Sequence, residues 1–291
     1  MTAIDDSFYL EEERCGYTVS ADMKQVWAVQ LDLLERFQTM CREHKLRYFA
    51  SGGTLLGAVR HGGFIPWDDD IDLMMFRDEY ERMLAVAPAY FEPPYFFQTV
   101  DTDVSYSRGH AQLRHSNTAA ILKGEGRAFP FNQGIFIDIF PVDAVPDDPQ
   151  QKQKQQRAIR FWERLLNAGV RYPANPRKNL IKNAVHAAVS LIPYRWVFRR
   201  MEAAARRYNG TATERVGMLT FMPENERLQF HASDFDAVTR VPFEHIEIDI
   251  PAAYDRVLRD QYGDYTVPQQ CGSYHGTVTF DAKRSYMDYI K

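Results

Sequence analysis

The 291-residue sequence has few cysteines, no long uninterrupted apolar run and no large excess of charge of either sign. Its three cysteines are Cys15, Cys41 and Cys271, and none belongs to a C-x-x-C pair. We therefore expect free thiols and neither a disulfide framework nor a cysteine-based zinc site. The formal net charge of −4 argues against a dedicated nucleic-acid-binding protein, because such proteins carry a basic domain or stripe.

The sequence also lacks clear signals for secretion or membrane insertion. The most apolar stretch, residues 179–198, is interrupted by Lys182, Pro193 and Arg195. A membrane-spanning helix needs about 20 predominantly apolar residues. The acidic first fourteen residues have no apolar core of the kind found in a secretory signal. We therefore expect a cytoplasmic chain, whose 45% of apolar residues can form a sizeable core.

Hydrophobic periodicity predicts a mixture of helices and short strands. Spacings of three and four predict a long helix over 19–46, with Ser20 as its N-cap. Further helices are predicted over 54–61, 77–91, 151–166, 179–192, 194–208 and 250–263, and strands over 46–50, 70–76 and 134–145. A change to basic, Gln-rich sequence predicts a helical subdomain at 150–210. The fold class is therefore α+β or α/β, with a small sheet flanked by helices.

The most informative stretch is SGGTLLGAVRHGGFIPWDDDIDLMMF, residues 51–76. On a strand, Asp70 and Asp72 point to the same face, and Asp68 can continue that row. Carboxylates so placed repel each other unless a cation lies between them, and oxygen ligands suit Mg²⁺ or Mn²⁺. A solvated acidic turn is the alternative, although apolar residues follow at once. A calcium-binding EF-hand loop is excluded because Leu73 stands where the turn needs glycine.

Asp138 lies within IFIDIF, with apolar residues on both sides. A carboxylate is costly to bury unless it is paired or coordinates a metal. A role as the third metal ligand would explain why a carboxylate lies among these apolar residues. The alternative is a buried aspartate held by backbone donors or by an arginine.

The glycines Gly52 and Gly53 stand between a predicted strand and a predicted helix. Such a turn lets backbone N–H groups approach an anion closely, although a purely structural turn has the same composition. The segment is not a P-loop, because Ala58 and Val59 replace the required Lys-Ser/Thr pair, and it is not a Rossmann fingerprint. Combined with the aspartates, the glycines indicate binding of a nucleotide diphosphate or triphosphate.

This order of motifs resembles the nucleotidyltransferase superfamily, and GTLLGAVRHGGFIPWDDDIDL resembles the signature of the LicD family. That family comprises phosphocholine and related phosphodiester transferases of bacterial glycans, to which the fukutin-type ribitol-phosphate transferases are related. The segments 112–119, 134–143 and 241–270 are also similar to family segments. The chain departs from the pattern at His245, where glycine is usual, and at Pro268, which replaces a proline doublet.

The resemblance implies one catalytic domain over 1–291. It would comprise a nucleotidyltransferase-like core at 20–149, the helical insertion at 150–210 and a C-terminal segment at 211–291. Asp70 and Asp72 would bind Mg²⁺ or Mn²⁺, and Asp138 would be the third ligand or the general base. Asp68 and Asp69 would position groups around the ligands.

Phosphate contacts would come from Gly52, Gly53 and Thr54, and nucleotide or phosphate contacts from Arg60, His61 and Arg114. A surface salt bridge is the alternative for Arg60. An isolated histidine such as His275 is more often structural than catalytic.

The implied chemistry is transfer of phosphocholine or an alditol phosphate from a CDP-activated donor to a sugar hydroxyl of a glycan or lipid-linked oligosaccharide, with release of CMP. The alternatives are an NTP-dependent nucleotidyltransferase and a non-catalytic glycan- or nucleotide-binding module. The basic segment 150–210 carries Trp162, Trp196 and Phe198. It could rest on an anionic membrane at its cytoplasmic face, but a solvated face with an ordinary core side is favoured.

Overall fold

The computed structural model describes residues 4–170, 180–270 and 278–290. The helices are α1 Ala21–His44, α2 Gly52–His61, α3 Arg77–Tyr90, α4 Pro149–Val170, α5 Leu180–Val189, α6 Tyr194–Ala205, α7 Tyr254–Tyr262 and α8 Met287–Ile290. The strands are β1 Glu12–Arg14, β2 Tyr17–Val19, β3 Phe49–Ala50, β4 Asp72–Phe76, β5 Tyr95–Gln98, β6 Ala111–His115, β7 Ala119–Leu122, β8 Ile135–Val145, β9 Arg215–Gly217, β10 Gln229–His231, β11 Val238–Phe243, β12 Ile246–Pro251 and β13 Val278–Asp281. Among the described residues, no helix is long and apolar enough to cross a membrane.

The main sheet has seven strands and is organised around β8, whose residues are all buried. The first residues of β8, 135–139, pair antiparallel with β6, and its middle residues, 138–142, pair in parallel with β4. Its last residues, 143–145, pair with β9. The strands β3, β5 and β10 extend the sheet from β4, β6 and β9. The predicted α+β class is confirmed.

Helix α1 covers the sheet and begins where the sequence predicts a cap. The Ser20 hydroxyl accepts a hydrogen bond from the N–H of Met23, and Lys45 ends the helix in a left-handed conformation. Trp27 and Phe37 are fully buried in the core beneath the helix. The helix thus stabilises the sheet and also lies behind the segment that carries the aspartates.

The helices α4 and α6 form a second, smaller core with residues such as Ile159, Leu166 and Phe198. A buried ion pair connects it to the sheet, because Arg77 of α3 contacts Asp143 of β8 at 2.7 Å and Glu202 of α6 at 3.0 Å. Burial opposes the charge of Arg77, but the two carboxylates outweigh it and raise its pKa. The division into core, insertion and C-terminal segment stays a prediction.

Several predicted boundaries differ from the structure. The strand predicted over 70–76 begins at Asp72, and the helix predicted from 54 already begins at Gly52. The strand predicted over 46–50 is reduced to Phe49–Ala50, and the helix predicted over 250–263 begins only at Tyr254, because Ile246–Pro251 is a strand. The region 171–179, at the start of the predicted helix 179–192, lies outside the described residues.

Candidate active site

Three polar residues form a row across the centre of the main sheet. Strand register places Asp72 of β4 opposite Asp138 of β8, and Asp138 opposite Gln112 of β6. Residues directly opposite each other share a face, and neighbouring strands lie about 4.8 Å apart. The sheet therefore brings together Asp72 and Asp138, which are 66 positions apart in the sequence.

Asp70 lies outside this row, in the segment that leads into β4. The backbone of this segment is bound by side chains of α1. The Trp27 indole donates to the Asp68 carbonyl at 3.1 Å, and the Gln30 amide donates to the Asp69 carbonyl at 2.8 Å. The sequence prediction placed Asp70 and Asp72 on the same strand. In the structure Asp70 lies in a loop before β4, and hydrogen bonds from α1 hold the backbone of that loop.

The loop itself brings three carboxylates together. Oxygen atoms of Asp68, Asp69 and Asp70 lie within 4.8 Å of one another, a spacing that can hold a cation. Burial, and then the charges of Asp70 and Asp69, raise the pKa of Asp68 well above its ordinary value. A cation at this site would remove that repulsion, and oxygen-only ligands suit Mg²⁺ or Mn²⁺.

The glycines lie directly against these carboxylates. Gly52 has φ +53°, and a Cβ placed there would lie 3.1 Å from Oδ2 of Asp72. A Cβ on Gly53 would overlap Oδ2 of Asp68. The Thr54 hydroxyl accepts a hydrogen bond from the N–H of Asp72 at 2.8 Å. The N-terminal turn of α2 therefore packs against the start of β4, where its backbone N–H groups and dipole favour an anion.

Asp138 is buried, and the side chains of Gln112 and His110 contact its carboxylate. The Gln112 amide donates to its Oδ1 at 2.6 Å, and Nε2 of His110 lies 3.1 Å from the same oxygen. His110 packs in turn against Phe140, with ring centroids 4.4 Å apart. The carboxylate is thus fixed in orientation, as a metal ligand or a general base requires.

Arg114 is fully buried and lies opposite Phe136, two positions along β8 from Asp138. Its guanidinium donates to Gln112 at 2.6 Å, to the Gly134 carbonyl at 2.6 Å and to Gln98. Burial, followed by the charge of Arg108, lowers its pKa to about 10. In this structure Arg114 positions Gln112, which positions Asp138. Direct contact with a nucleotide stays a prediction.

Arg60 and His61 lie at the opposite end of α2, about 12 Å along the helix from the glycines. Nε of Arg60 donates to Nε2 of His61 at 2.9 Å, and Nη1 donates to the Tyr265 carbonyl at 2.9 Å. Burial, and then the charges of Arg60 and Arg14, lower the pKa of His61. The structure thus does not bring this pair to the carboxylates, and its nucleotide-binding role stays a prediction.

The comparison with known proteins adds to this geometry. Residues 45–173 match the family model LicD/FKTN/FKRP, nucleotidyltransferase domain. Lipopolysaccharide cholinephosphotransferase LicD of Haemophilus influenzae is 27% identical over 255 residues, which cover 84% of this chain and 91% of that protein.

Residues 45–173 are thus similar to the LicD family, and most of the chain is similar to a LicD protein. A shorter match of 34 residues, 53% identical, is found with human ribitol 5-phosphate transferase FKRP, over 12% of this chain and 7% of that protein. An uncharacterized protein of Rickettsia prowazekii is 31% identical over 78 residues, 27% of each chain.

The structure adds residues that the sequence pattern did not identify. Gln112 and His110 contact Asp138, and Trp27 and Gln30 bind the aspartate loop. Interpreting QLRH as a strand would have placed Gln112 and Arg114 on one face. The contacts from α1 have no such signal, because Trp27 and Gln30 fit an ordinary buried helix face.

An open pocket lies away from the carboxylates. It has a volume of about 1070 Å³ and lies along the outer side of α1, with Arg36, Tyr95 and His245 in its lining. None of the predicted site residues lines it. We locate the candidate site by its converging carboxylates and helix N-terminus, because a cation or phosphate needs charged ligands more than it needs volume.

Two of the expectations concern residues whose structure is not described. Cys271 and His275 both lie in 271–277, outside the described residues. Cys15 and Cys41 are free thiols, as expected, with Cys15 exposed and Cys41 buried.

Proposed function

We propose that this chain is a LicD-type transferase, which transfers phosphocholine or an alditol phosphate from a CDP-activated donor to a sugar hydroxyl of a cell-surface glycan or glycolipid, releasing CMP. The observation that carries the proposal is the meeting of Asp72, Asp138 and the N-terminus of α2 at the start of β4. The relative named as a lipopolysaccharide cholinephosphotransferase, matched over 91% of its length, supports the same class of transfer.

The proposed donors are carboxylate oxygens, the ligand type that a divalent cation such as Mg²⁺ prefers. The carboxylates of Asp70, Asp72 and Asp138 are the proposed ligands of Mg²⁺ or Mn²⁺, with Asp68 and Asp69 beside them. When bound, the cation would supply neutralisation of the pyrophosphate charge. The glycines fit the same site, because any Cβ at Gly52 would crowd the Asp72 carboxylate.

The protein groups have separable tasks in this proposal. The backbone N–H groups at Gly52 and Gly53 bind phosphate oxygens. The Thr54 hydroxyl fixes the position of Asp72 by accepting a hydrogen bond from the Asp72 N–H. Asp138, held in one orientation by Gln112, accepts the proton of the attacking sugar hydroxyl or binds the metal. Arg60 and His61 bind the part of the donor that extends along α2.

The proposed setting is the cytoplasm, with contact at the inner face of the membrane. Lipid-linked oligosaccharides present their sugars at such a face. The helical segment 150–210 is the part of the chain that would make the contact.

A panel of CDP-alcohols tests the proposal. The purified chain is incubated with CDP-choline or CDP-ribitol, Mg²⁺ and an oligosaccharide acceptor, and CMP release is measured. We expect acceptor-dependent CMP formation with at least one donor, lost in Asp70→Ala while the thermal unfolding transition remains. Pyrophosphate release from an NTP in place of CMP would instead establish a nucleotidyltransferase. Unchanged donor binding by Asp70→Ala without any turnover would establish a binding module.

A further inference from the structure

Positive charge is concentrated in one part of the chain. Residues 150–210 contain fourteen lysines and arginines but only two acidic residues, Glu163 and Glu202, although the whole chain has a formal charge of −4. The remainder is therefore strongly acidic. Such asymmetry points to an anionic partner for the basic segment.

The same segment exposes large apolar side chains. Leu191, between α5 and α6, is 85% exposed, Phe161 of α4 is 59% exposed and Trp196 of α6 is 49% exposed. Val185 and Ile192 are exposed as well. Single exposed apolar residues are ordinary, but a group of them on one small subdomain indicates an interaction site.

The exposed rings belong to one continuous surface. The ring of Trp162 lies 5.0 Å from that of Phe161 and 5.6 Å from that of Trp196. The Arg200 guanidinium lies 5.6 Å from Trp162 and 5.8 Å from Trp196. Arg200 thus lies beside the exposed ring of Trp196 and the half-buried ring of Trp162, an arrangement that combines apolar surface with a cation.

Helical spacing places further cations beside the rings. On α4, Arg157, Phe161 and Arg164 are separated by four and three positions, and all three are exposed. On α6, Trp196 and Arg200 are separated by four. Arg157, Arg164 and Arg200 form no ion pair with any residue in 4–170, 180–270 or 278–290. Their charges are therefore available to an external anion.

We infer that this surface binds an anionic phospholipid bilayer. We call it the basic aromatic patch and define it by Phe161, Leu191, Trp196, Arg157, Arg164 and Arg200. Aromatic rings and leucine insert at the level of the headgroups, while arginines reach the lipid phosphates with their long side chains. A nucleic acid would match the cations but would leave Leu191 and Ile192 exposed, so a bilayer fits the observed surface better.

This inference rests on the membrane contact included in the proposed function and gives it a surface and a ligand class. It requires neither the donor nor the acceptor. A chain that does not bind vesicles could therefore still release CMP, and a chain that does not release CMP could still bind vesicles. Each result can be interpreted without the other.

The test is sedimentation of the full chain with vesicles of phosphatidylcholine, with or without phosphatidylglycerol. We expect binding that depends on phosphatidylglycerol and weakens as salt is added. Two variants separate the contribution of the apolar side chains to vesicle binding from that of the positive charges. The first replaces Phe161→Ser, Leu191→Ser and Trp196→Ser, and the second replaces Arg157→Glu, Arg164→Glu and Arg200→Glu. Each should lower the vesicle affinity by roughly tenfold or more.

Matched controls carry the same changes elsewhere on the surface. Leu10→Ser, Val238→Ser and Met287→Ser control for lost apolar exposure, and Lys123→Glu, Arg227→Glu and Lys283→Glu control for lost charge. Both controls should bind vesicles like the parent chain. Thermal unfolding and CMP release on a soluble acceptor verify that the patch variants remain folded. Equal binding by patch and control variants, absence of a phosphatidylglycerol requirement, or patch-dependent binding to an RNA oligonucleotide but not to vesicles would overturn the inference.

Discussion

At the scale of single residues, the candidate site depends on polar side chains that hold one another in a buried environment. Asp138 accepts from Gln112, and Gln112 accepts from Arg114. When a buried polar group loses its hydrogen-bond partner, its full desolvation free energy destabilises the folded state. Gln112 is therefore a positioning residue whose removal affects two neighbours.

Gln112→Leu removes one donor to Asp138 and one acceptor for Arg114. We expect the free energy of unfolding to fall by about 1–3 kcal/mol, because both groups stay buried. We also expect kcat for CMP release to fall while KM for the donor changes little. Urea denaturation and steady-state kinetics measure the two effects. Gln155→Leu is the control, since Gln155 is equally buried but bonds Ala144 and Ala205 away from the site. Equal losses of kcat in both variants would contradict a positioning role.

A pH dependence follows from His61 and His115. Burial lowers the pKa of both below the ordinary 6.5. The unfolded chain therefore binds more protons than the folded chain at pH values between 6.5 and the lowered pKa values. The free energy of unfolding should decrease as the pH falls through this window and increase as it rises. Replacement of both histidines by glutamine should reduce the pH dependence of the free energy of unfolding, whereas His44→Gln, on the surface, should leave it unchanged. A pH dependence that is unaltered in the double variant would contradict this assignment.

At the scale of elements, the sheet and α2 bring together residues that are far apart in the sequence. The sequence was sufficient to predict α1, β8 and the strand that begins near Asp72, because each has a strong hydrophobic period or a cap. It was not sufficient to predict β6, whose buried Gln112 and Arg114 bond to each other and to partners distant in sequence, such as Asp138 and the Gly134 carbonyl. Nor could it predict the aspartate loop, whose course depends on hydrogen bonds from α1.

Gly52→Ala tests the close approach of α2 to Asp72. Two costs are expected: a positive φ, worth about 1–2 kcal/mol, and crowding of the Asp72 carboxylate. Gly62→Ala, at φ +62° with nothing within 4 Å of a new Cβ, carries the first cost alone. We expect both variants to lose stability in chemical denaturation, and only Gly52→Ala to lose CMP release. Full activity of a folded Gly52→Ala chain would contradict the proposed phosphate contact.

At the scale of the whole molecule, the chain joins a sheet-centred core to a basic helical segment with a core of its own. Arg77 forms the connection, because its guanidinium contacts Asp143 on β8 and Glu202 on α6. The sequence predicted the helical segment from its composition. It could not predict the ion pair, whose partners are 66 and 125 positions from Arg77.

Asp143→Asn should leave the Arg77 charge buried with a weaker partner. Breaking a buried pair in this way costs about 3–5 kcal/mol, so the midpoint of urea denaturation should fall markedly. The exposed pair of Asp255 and Arg259 provides the control, since Asp255→Asn should leave the midpoint of urea denaturation nearly unchanged. Similar losses in both variants would show that the buried pair does not stabilise the connection.

The central claim is that the carboxylates at the start of β4 and on β8 serve the transfer reaction. The most direct measurement is CMP release from CDP-alcohols, with Mg²⁺ and a glycan acceptor, by the parent chain and by Asp72→Asn, with Asp236→Asn as a surface control. We predict metal-dependent release by the parent chain and the control, and a loss of at least about 100-fold in Asp72→Asn without loss of folding. Release by Asp72→Asn at the parent rate, or no release from any CDP-alcohol by the folded parent chain, would contradict the account.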